Sequence, residues 1–398
     1  KTSEILIDTN GVREIIDTES GLKYGKISAL FVKDINENCF TSDGKFLILN
    51  CFTELQLVLC LFDLKTKQLI PIEFPLPSIQ VLDLIDNVLI AVGSALNTKP
   101  NIFVGKLNYS DNTKPWVEWK EMETNSRDSL KDISVDNFYI PSEDPNKLLT
   151  AILVSPKAVE SQPTATIVMA HGGPHGQYFN TYMSYPSLLA RLGFKSLLIN
   201  YRGSLGVDDN YVNDLIGHVG DNDVRDVVHC VQYLSDKSLI DSSKLVLWGG
   251  SHGGFLVAHL SGQYAHMDFK ACISRNPVID LTSMSDATDI PDWCDVETFG
   301  DSKLFAFNTP LDSNSLIMMF EKSPINCILD VKVPTLITLG KRDRRVPWTQ
   351  GLKYYRILKA RGVKTRCHVY DDNHSLQKVD VDGDCFVNIC LWILENLN

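Results

Sequence analysis

The chain has 398 residues, with 44% apolar and 22% charged side chains and a formal net charge of −11. That is a globular composition with room for two to three domains at roughly 150 residues each. The acidic balance argues against nucleic acid as a partner, since phosphate recognition needs clustered basic residues, and no apolar run reaches the roughly 18 residues of a membrane helix.

The opening KTSEILIDTN lacks the apolar core of a secretory signal, and its first residue is lysine rather than methionine, so a fragment or processed form is expected. Up to about residue 135 the chain shows short apolar runs separated by turns: CFTSDGKFLILNC, LVLCLFDLKTKQLIPIEF, VLDLIDNVLIAVGS and NIFVGKLNY. Runs of this length between SDGK, DLKTKQ and IDN read as antiparallel strands in the rhythm of propeller blades. Only about two or three blades of ~45 residues fit, fewer than a closed propeller needs. A small β-sandwich is the competing architecture.

Residues near 120–163 are polar and carry proline and serine, which predicts a junction and a surface hairpin. From 164 onward strand and helix patterns alternate. The runs TATIVMA, FKSLLINY, KLVLWGG, KACISRNP, PTLITLG and TRCHVYDD read as strands covered on both faces. Between them, Val224, Val227, Val228, Val231 and Leu234 recur on one helical face, and Tyr354, Ile357 and Leu358 do so in GLKYYRILKARG, closed by Gly362. The fold class is therefore α/β: a doubly wound, mostly parallel hydrolase sheet at 136–398, preceded by a partial β-propeller-like all-β region at 1–135. Ten cysteines are scattered without a CxxC pair, several in apolar runs such as LVLCLF and VNICLW. They read as buried reduced thiols of a cytoplasmic protein, not as a metal site.

The chemistry concentrates in LWGGSHGGFL. A G-x-S-x-G sequence between a strand and a helix is a nucleophile elbow, with Ser251 at its tip. Glycine relieves the clash that flanking side chains would make in so sharp a turn. The following helix points its positive end at the site. His252 is adjacent to Ser251 and aimed elsewhere, so its backbone amide is the useful part, as one oxyanion donor. The second donor is expected from the loop His171-Gly172-Gly173-Pro174 after TATIVMA, at Gly173. A serine hydroxyl needs a base and an orienting acid. The order Ser, Asp, His of α/β-hydrolases selects Asp343 after PTLITLG and His374 after TRCHVYDD. His171, His175, His218, His229, His259 and His266 precede Asp343 and fail that order, His368 lies inside a strand, and Asp371 and Asp372 sit too close to His374 along the chain.

The segments GGSHGGF, SRNPVIDLTSM, TDIPDWC, GKRDRRVPWTQG and YYRILKARGVK, with HGGPHG and NYRGS, resemble the acylaminoacyl-peptidases of the prolyl oligopeptidase family of serine peptidases. The resemblance is dense from about residue 165 to the end and weaker before it. It implies a peptidase that releases an N-acylated residue from the amino terminus of short peptides, cytoplasmic and often a homo-oligomer, with no metal or cofactor. Carried over by position, it matches Ser251 to the nucleophile, Asp343 to the acid, His374 to the base, and Gly173 and His252 to the oxyanion region. Arg275 and Trp293 fall in similar segments and are candidate substrate-pocket residues, with structural roles as the alternative. Family members carry a complete propeller and an N-terminal segment, most of which this sequence lacks. Two other readings stand beside this one: a different peptidase or an esterase on the same scaffold, and a non-enzymatic, incomplete chain that binds partners through exposed blade edges.

Overall fold

The computed structural model describes residues 4–9, 12–17, 31–110, 113–122, 130–142, 148–157, 165–300 and 310–397. The chain divides into two compact units. One comprises Lys1–Asn137, Phe179–Arg191 and Leu205–Asp209; the other comprises Phe138–Tyr178, Leu192–Ser204 and Asn210–Asn398.

In the first unit a hairpin of β1 (Glu4–Thr9) and β2 (Val12–Asp17) precedes two four-stranded antiparallel sheets. The first sheet is β3 (Phe31–Asp34), β4 (Phe46–Phe52), β5 (Leu57–Asp63) and β6 (Leu69–Ile72) in chain order. The second is β7 (Ser78–Ile85), β8 (Val88–Ala95), β9 (Thr98–Ser110) and β10 (Thr113–Glu121), again a meander. The turn residues account for the reversals. Between β7 and β8, Asp86 and Asn87 both take positive φ, as a two-residue hairpin of type I′ requires. Between β5 and β6, the Asp63 carboxylate accepts from the amides of Lys65 and Thr66. Phe46, Ile48, Leu59 and Leu61 of the first sheet share one apolar cluster with Ile79, Val81, Leu89 and Leu107 of the second. The buried Asn50 stitches the sheets further, accepting from the Val81 amide at 3.0 Å and donating to Asp34 at 2.9 Å. Two face-packed meanders of this kind agree with the propeller-like region expected, and among the described residues they are its two four-stranded sheets.

The second unit is built on an eight-stranded sheet of β11 (Ile133–Pro141), β12 (Leu148–Pro156), β13 (Thr166–Ala170), β14 (Lys195–Asn200), β15 (Leu245–Gly250), β16 (Ala271–Arg275), β17 (Thr335–Gly340) and β18 (Thr365–Tyr370). The spatial order is β11-β12-β14-β13-β15-β16-β17-β18. Pairings from β14 through β18 are parallel, and β12 lies antiparallel to β14. All six strands expected after residue 164 are present. Among the described residues the α-helices are α1 (Ser184–Arg191), which belongs to the first unit, α2 (Asp209–Asn213), whose first residue does too, and, in the second unit, α3 (Asn222–Asp236), α4 (His252–Gln263), α5 (Leu281–Ser285), α6 (Pro291–Phe299), α7 (Ser313–Glu321), α8 (Thr349–Ala360) and α9 (Val379–Leu397). On α3 the five periodic apolar residues are all buried, which is why that face packs inward. On α8, Tyr354 and Leu358 are buried and Ile357 half-buried, and Gly362 follows the helix at φ +78°.

One expectation changes. The junction and surface hairpin read near 120–163 supply β11 and β12 to the sheet, and Leu149 through Val154 are buried. The polar stretches at 123–129, 143–147 and 158–164 lie outside the described residues. All ten cysteines are free, seven of them buried. Among the described residues no helix is long and apolar enough to cross a membrane.

Candidate active site

Ser251 sits between β15 and α4 with φ 58° and ψ −121°, a left-handed conformation that a serine adopts only under constraint. The constraint is visible around it. The Ser251 amide donates to the Arg275 carbonyl of β16, and the Ser251 carbonyl accepts from Phe255 of α4. A Cβ on Gly249 would stand 2.0 Å from the Gly253 carbonyl oxygen, and one on Gly253 would stand 2.1 Å from that of Ala170. A Cβ on Gly254 would meet Pro277 at 2.8 Å. These three glycines permit the close approach of β13, β15 and α4 beneath the serine. Gly250 differs, because its Cβ would rest 3.5 Å from the Arg275 carbonyl, an ordinary contact.

The amide of His252 lies in the first turn of α4, where backbone N–H groups have no intrahelical acceptor. The imidazole is buried and points away from the cavity. Its Nε2 meets the carboxylate of the fully buried Asp223 at 2.8 Å, and that carboxylate also accepts from the amides of Gly220 and Val224. His252 stacks on Phe255 and meets Trp293 edge-on. The loop after β13 comes close to the serine: a Cβ on Gly172 would be 3.2 Å from the Ser251 Cβ. His171 is buried beneath this loop and stacks on Tyr201 at 4.3 Å. Burial pushes its imidazole down to about 4.

Asp343 follows β17, with its side chain out of solvent. Its Oδ1 accepts from the amides of Arg345 and Val346, each at 2.9 Å, and its Oδ2 lies 2.5 Å from His374 Nδ1. The carboxylate is thus held at both oxygens, and the ring it faces is fixed in orientation. His374 follows β18, and its loop is zipped to the Asp343 loop through Arg342 N to Asp372 O and Lys341 N to Tyr370 O. Gly340 allows that approach, since a Cβ there would stand 2.4 Å from the Asn373 carbonyl oxygen. The competing acids have other work: Asp371 pairs with Arg342, and Asp372 accepts from the amides of Asn373 and Lys378 within its own loop.

Ser251, His374, Gly172, Gly173 and Trp293 line one cavity of about 300 Å³, with Val278, Met284, Ile290, Arg345 and Val346. Apolar side chains thus make up much of the lining. Arg275 acts elsewhere: its guanidinium donates to the carbonyls of Ser375 and Leu376, bracing the loop that carries His374. The neighbouring Asn276 was not singled out by the sequence. It is buried at φ 41°, accepts from the Gly340 amide at 2.7 Å and donates to the His374 carbonyl at 2.7 Å. An asparagine before proline at a strand end, a residue that tolerates positive φ, is the signal that could have drawn attention to it.

Comparison with known proteins bears on family and fold. The acylamino-acid-releasing enzyme of Mus musculus is 39% identical over 324 residues, covering 78% of this chain and 43% of that protein. That of Rattus norvegicus is 44% identical over 251 residues, covering 62% of this chain and 34% of that protein. The chain therefore spans less than half the length of these relatives. An acylaminoacyl peptidase structure from Pyrococcus horikoshii matches with a TM-score of 0.78 at 20% identity, covering 96% of this chain and 57% of that one, a likeness of fold. The match to the prolyl oligopeptidase family runs over residues 180–398, from before the elbow to the end of α9, and on that extent this chain belongs to the prolyl oligopeptidase family.

Proposed function

We propose that this chain is a serine peptidase that releases an N-acylated amino acid, such as an N-acetylated one, from the amino terminus of short peptides. The observation that carries the reading is the 2.5 Å contact of His374 Nδ1 with the doubly anchored Asp343, on a cavity that Ser251 also lines. In this mechanism the Ser251 hydroxyl attacks the carbonyl carbon of the acylated residue while His374 Nε2 takes its proton. The amides of His252 and Gly173 receive the oxyanion. The tetrahedral adduct collapses to an acyl-enzyme as His374 returns the proton to the leaving amine. Water, activated by the same imidazole, then releases the N-acyl amino acid. Asp343 holds the imidazole tautomer and supports its charge. The apolar wall of Val278, Met284, Ile290 and Trp293 suits an uncharged acyl group or an apolar side chain.

In this reading residues 136–398 form the catalytic domain and 1–135 the propeller-like one. It assigns the enzyme to the cytoplasm, with which ten free thiols agree, and expects a homo-oligomer with no nucleic-acid or membrane partner. The test is hydrolysis of acetyl-alanyl against free alanyl p-nitroanilide, with fluorophosphonate labelling of parent and Ser251→Ala. Preference for the acetylated substrate with label confined to Ser251 is expected. Equal or better turnover of the free amine would sink the reading in favour of a different peptidase on the same scaffold, and absence of label on folded protein would favour the non-enzymatic alternative.

A further inference from the structure

His175 lies two residues beyond Gly173 and is not used by the mechanism above. Its Nδ1 is 2.8 Å from the Gly203 carbonyl oxygen, and its Nε2 is 3.1 Å from a carboxylate oxygen of Glu297. A carbonyl and a carboxylate are both acceptors, so both ring nitrogens must carry protons. The geometry points to His175 as a fixed imidazolium, a positioning residue that clamps the Gly172–Gly173 loop to α6, the helix that carries Trp293, and that releases the loop at alkaline pH.

The pair is built into the unit. The Glu297 side chain is 3% exposed and that of His175 27%. The other Glu297 oxygen, Oε2, is buried without a partner among the described residues, so His175 is the neighbour that answers its charge. The backbone of the same residue is held too, its carbonyl accepting from the Gly217 amide at 3.1 Å. The clamp thus joins three segments: the loop after β13, the turn after β14 and α6. Gly173 lies two residues before His175 and is packed against its backbone, where a Cβ on Gly173 would stand 2.6 Å from the His175 amide nitrogen.

The surrounding ionisable groups leave the charge on His175. His171, on the same loop, meets the Gly172 carbonyl and the Ser204 hydroxyl, and burial pushes its imidazole down to about 4, so it carries no charge near neutral pH. The Tyr201 hydroxyl donates to the His171 carbonyl. The Lys322 ammonium, beyond α7, donates to the carbonyls of Gly217 and Thr298 beside Glu297. Asp223, next inward, is occupied by His252. For His175 itself burial pushes the imidazole down, but the Glu297 carboxylate and the Gly203 carbonyl raise it above the ordinary range. A base raised in the folded state keeps its contact below that value and loses it as pH rises through it. The clamp therefore opens on the alkaline side.

The inference rests on the proposed hydrolase, and its test separates the two. The pH dependence of kcat on acetyl-alanyl p-nitroanilide would be compared for parent, His175→Gln and Glu297→Gln, with the imidazole nitrogen chemical shifts of His175 followed over the same range. The parent is expected to lose kcat in an alkaline limb, Glu297→Gln to move that limb to lower pH, and His175→Gln to lack it. For His175→Gln, kcat at neutral pH should fall roughly tenfold with KM little changed, the scale of a small misplacement in an active site. Coincident alkaline limbs in parent and Glu297→Gln would overturn the clamp, as would shifts showing a neutral ring that accepts from a protonated Glu297 at neutral pH. Should His175→Gln not fold, the Glu297→Gln profile and the shifts still decide. A parent that turns nothing over refutes the hydrolase, while the shifts continue to report on the clamp.

Discussion

At the scale of single residues, the left-handed backbone of Ser251 costs on the order of 1–3 kcal/mol, and the packing around it must supply that. The glycines do unequal work in this. Gly253→Ala drives a methyl onto the Ala170 carbonyl oxygen at 2.1 Å, whereas the methyl of Gly250→Ala rests 3.5 Å from that of Arg275. The first should lose fluorophosphonate labelling and melt well below the parent, since overpacking a tight site costs about 1–3 kcal/mol or more. The second should fold and label at close to the parental rate. Equal damage at both positions would refute this account of the elbow. Asp343 gives a second prediction. Its Oδ1 is claimed by two backbone amides, so in Asp343→Asn the carboxamide oxygen would stay there and the NH2 would face His374 Nδ1. The ring proton would then be forced onto Nε2, the nitrogen that must accept from Ser251. The expected loss in kcat is about 10⁴-fold at neutral pH, from steady-state hydrolysis of the acetylated substrate, and a loss under tenfold would contradict the assigned role.

At the scale of elements, the parallel strands were legible because each is a short apolar run ending in a polar or glycine-bearing turn, and the site was legible as far as chain order reaches. Ser251, Asp343 and His374 follow β15, β17 and β18, the ends at which a doubly wound sheet gathers its functional side chains. What could not be read are the contacts that hold these ends together. The acceptor of the Asn276 amide group lies 98 positions away and the donor to its oxygen 64 positions away, and no local pattern encodes either. The same holds for Asp223, one of two buried aspartates on α3, whose partner His252 begins α4. The strands β11 and β12 escaped because the sheet edge they occupy is reached by an antiparallel return through polar sequence. The Asn276 strut makes its own prediction. Asn276→Ala loses both contacts, while Asn276→Asp can still accept from Gly340 but cannot donate to the His374 carbonyl. Both should lower kcat with KM within about twofold, alanine more than aspartate, because a misplaced base weakens the transition state and leaves substrate binding intact. Parental kcat in the alanine variant would show that Arg275 and the Asp343 loop suffice to hold His374.

At the scale of the whole molecule, the dependence of stability on pH follows from histidines that folding keeps neutral. His259 is buried on α4, with Nε2 3.0 Å from the Lys322 carbonyl oxygen and Nδ1 2.8 Å from the Gln263 side-chain amide. A ring that donates at one nitrogen and accepts at the other is satisfied without charge, and burial pushes it down from 6.5 to about 4. His171 is pushed to the same region, also by burial first. The unfolded chain binds a proton at each site as pH falls below about 6.5, while the folded chain does not until about pH 4, so stability is present above the upper value and drains away across that interval. The ceiling is on the order of 3 kcal/mol per histidine at the acid end, a large share of the total for a domain of ordinary stability. Thermal unfolding of the whole chain should therefore show a falling Tm between about pH 6.5 and pH 4. His259→Gln, which can keep one polar contact but cannot titrate, should melt lower than the parent at neutral pH and flatten the fall in Tm as the pH drops. A variant that tracks the parent in parallel over the whole interval would mean that His259 is protonated in the folded protein or that other groups set its acid limit.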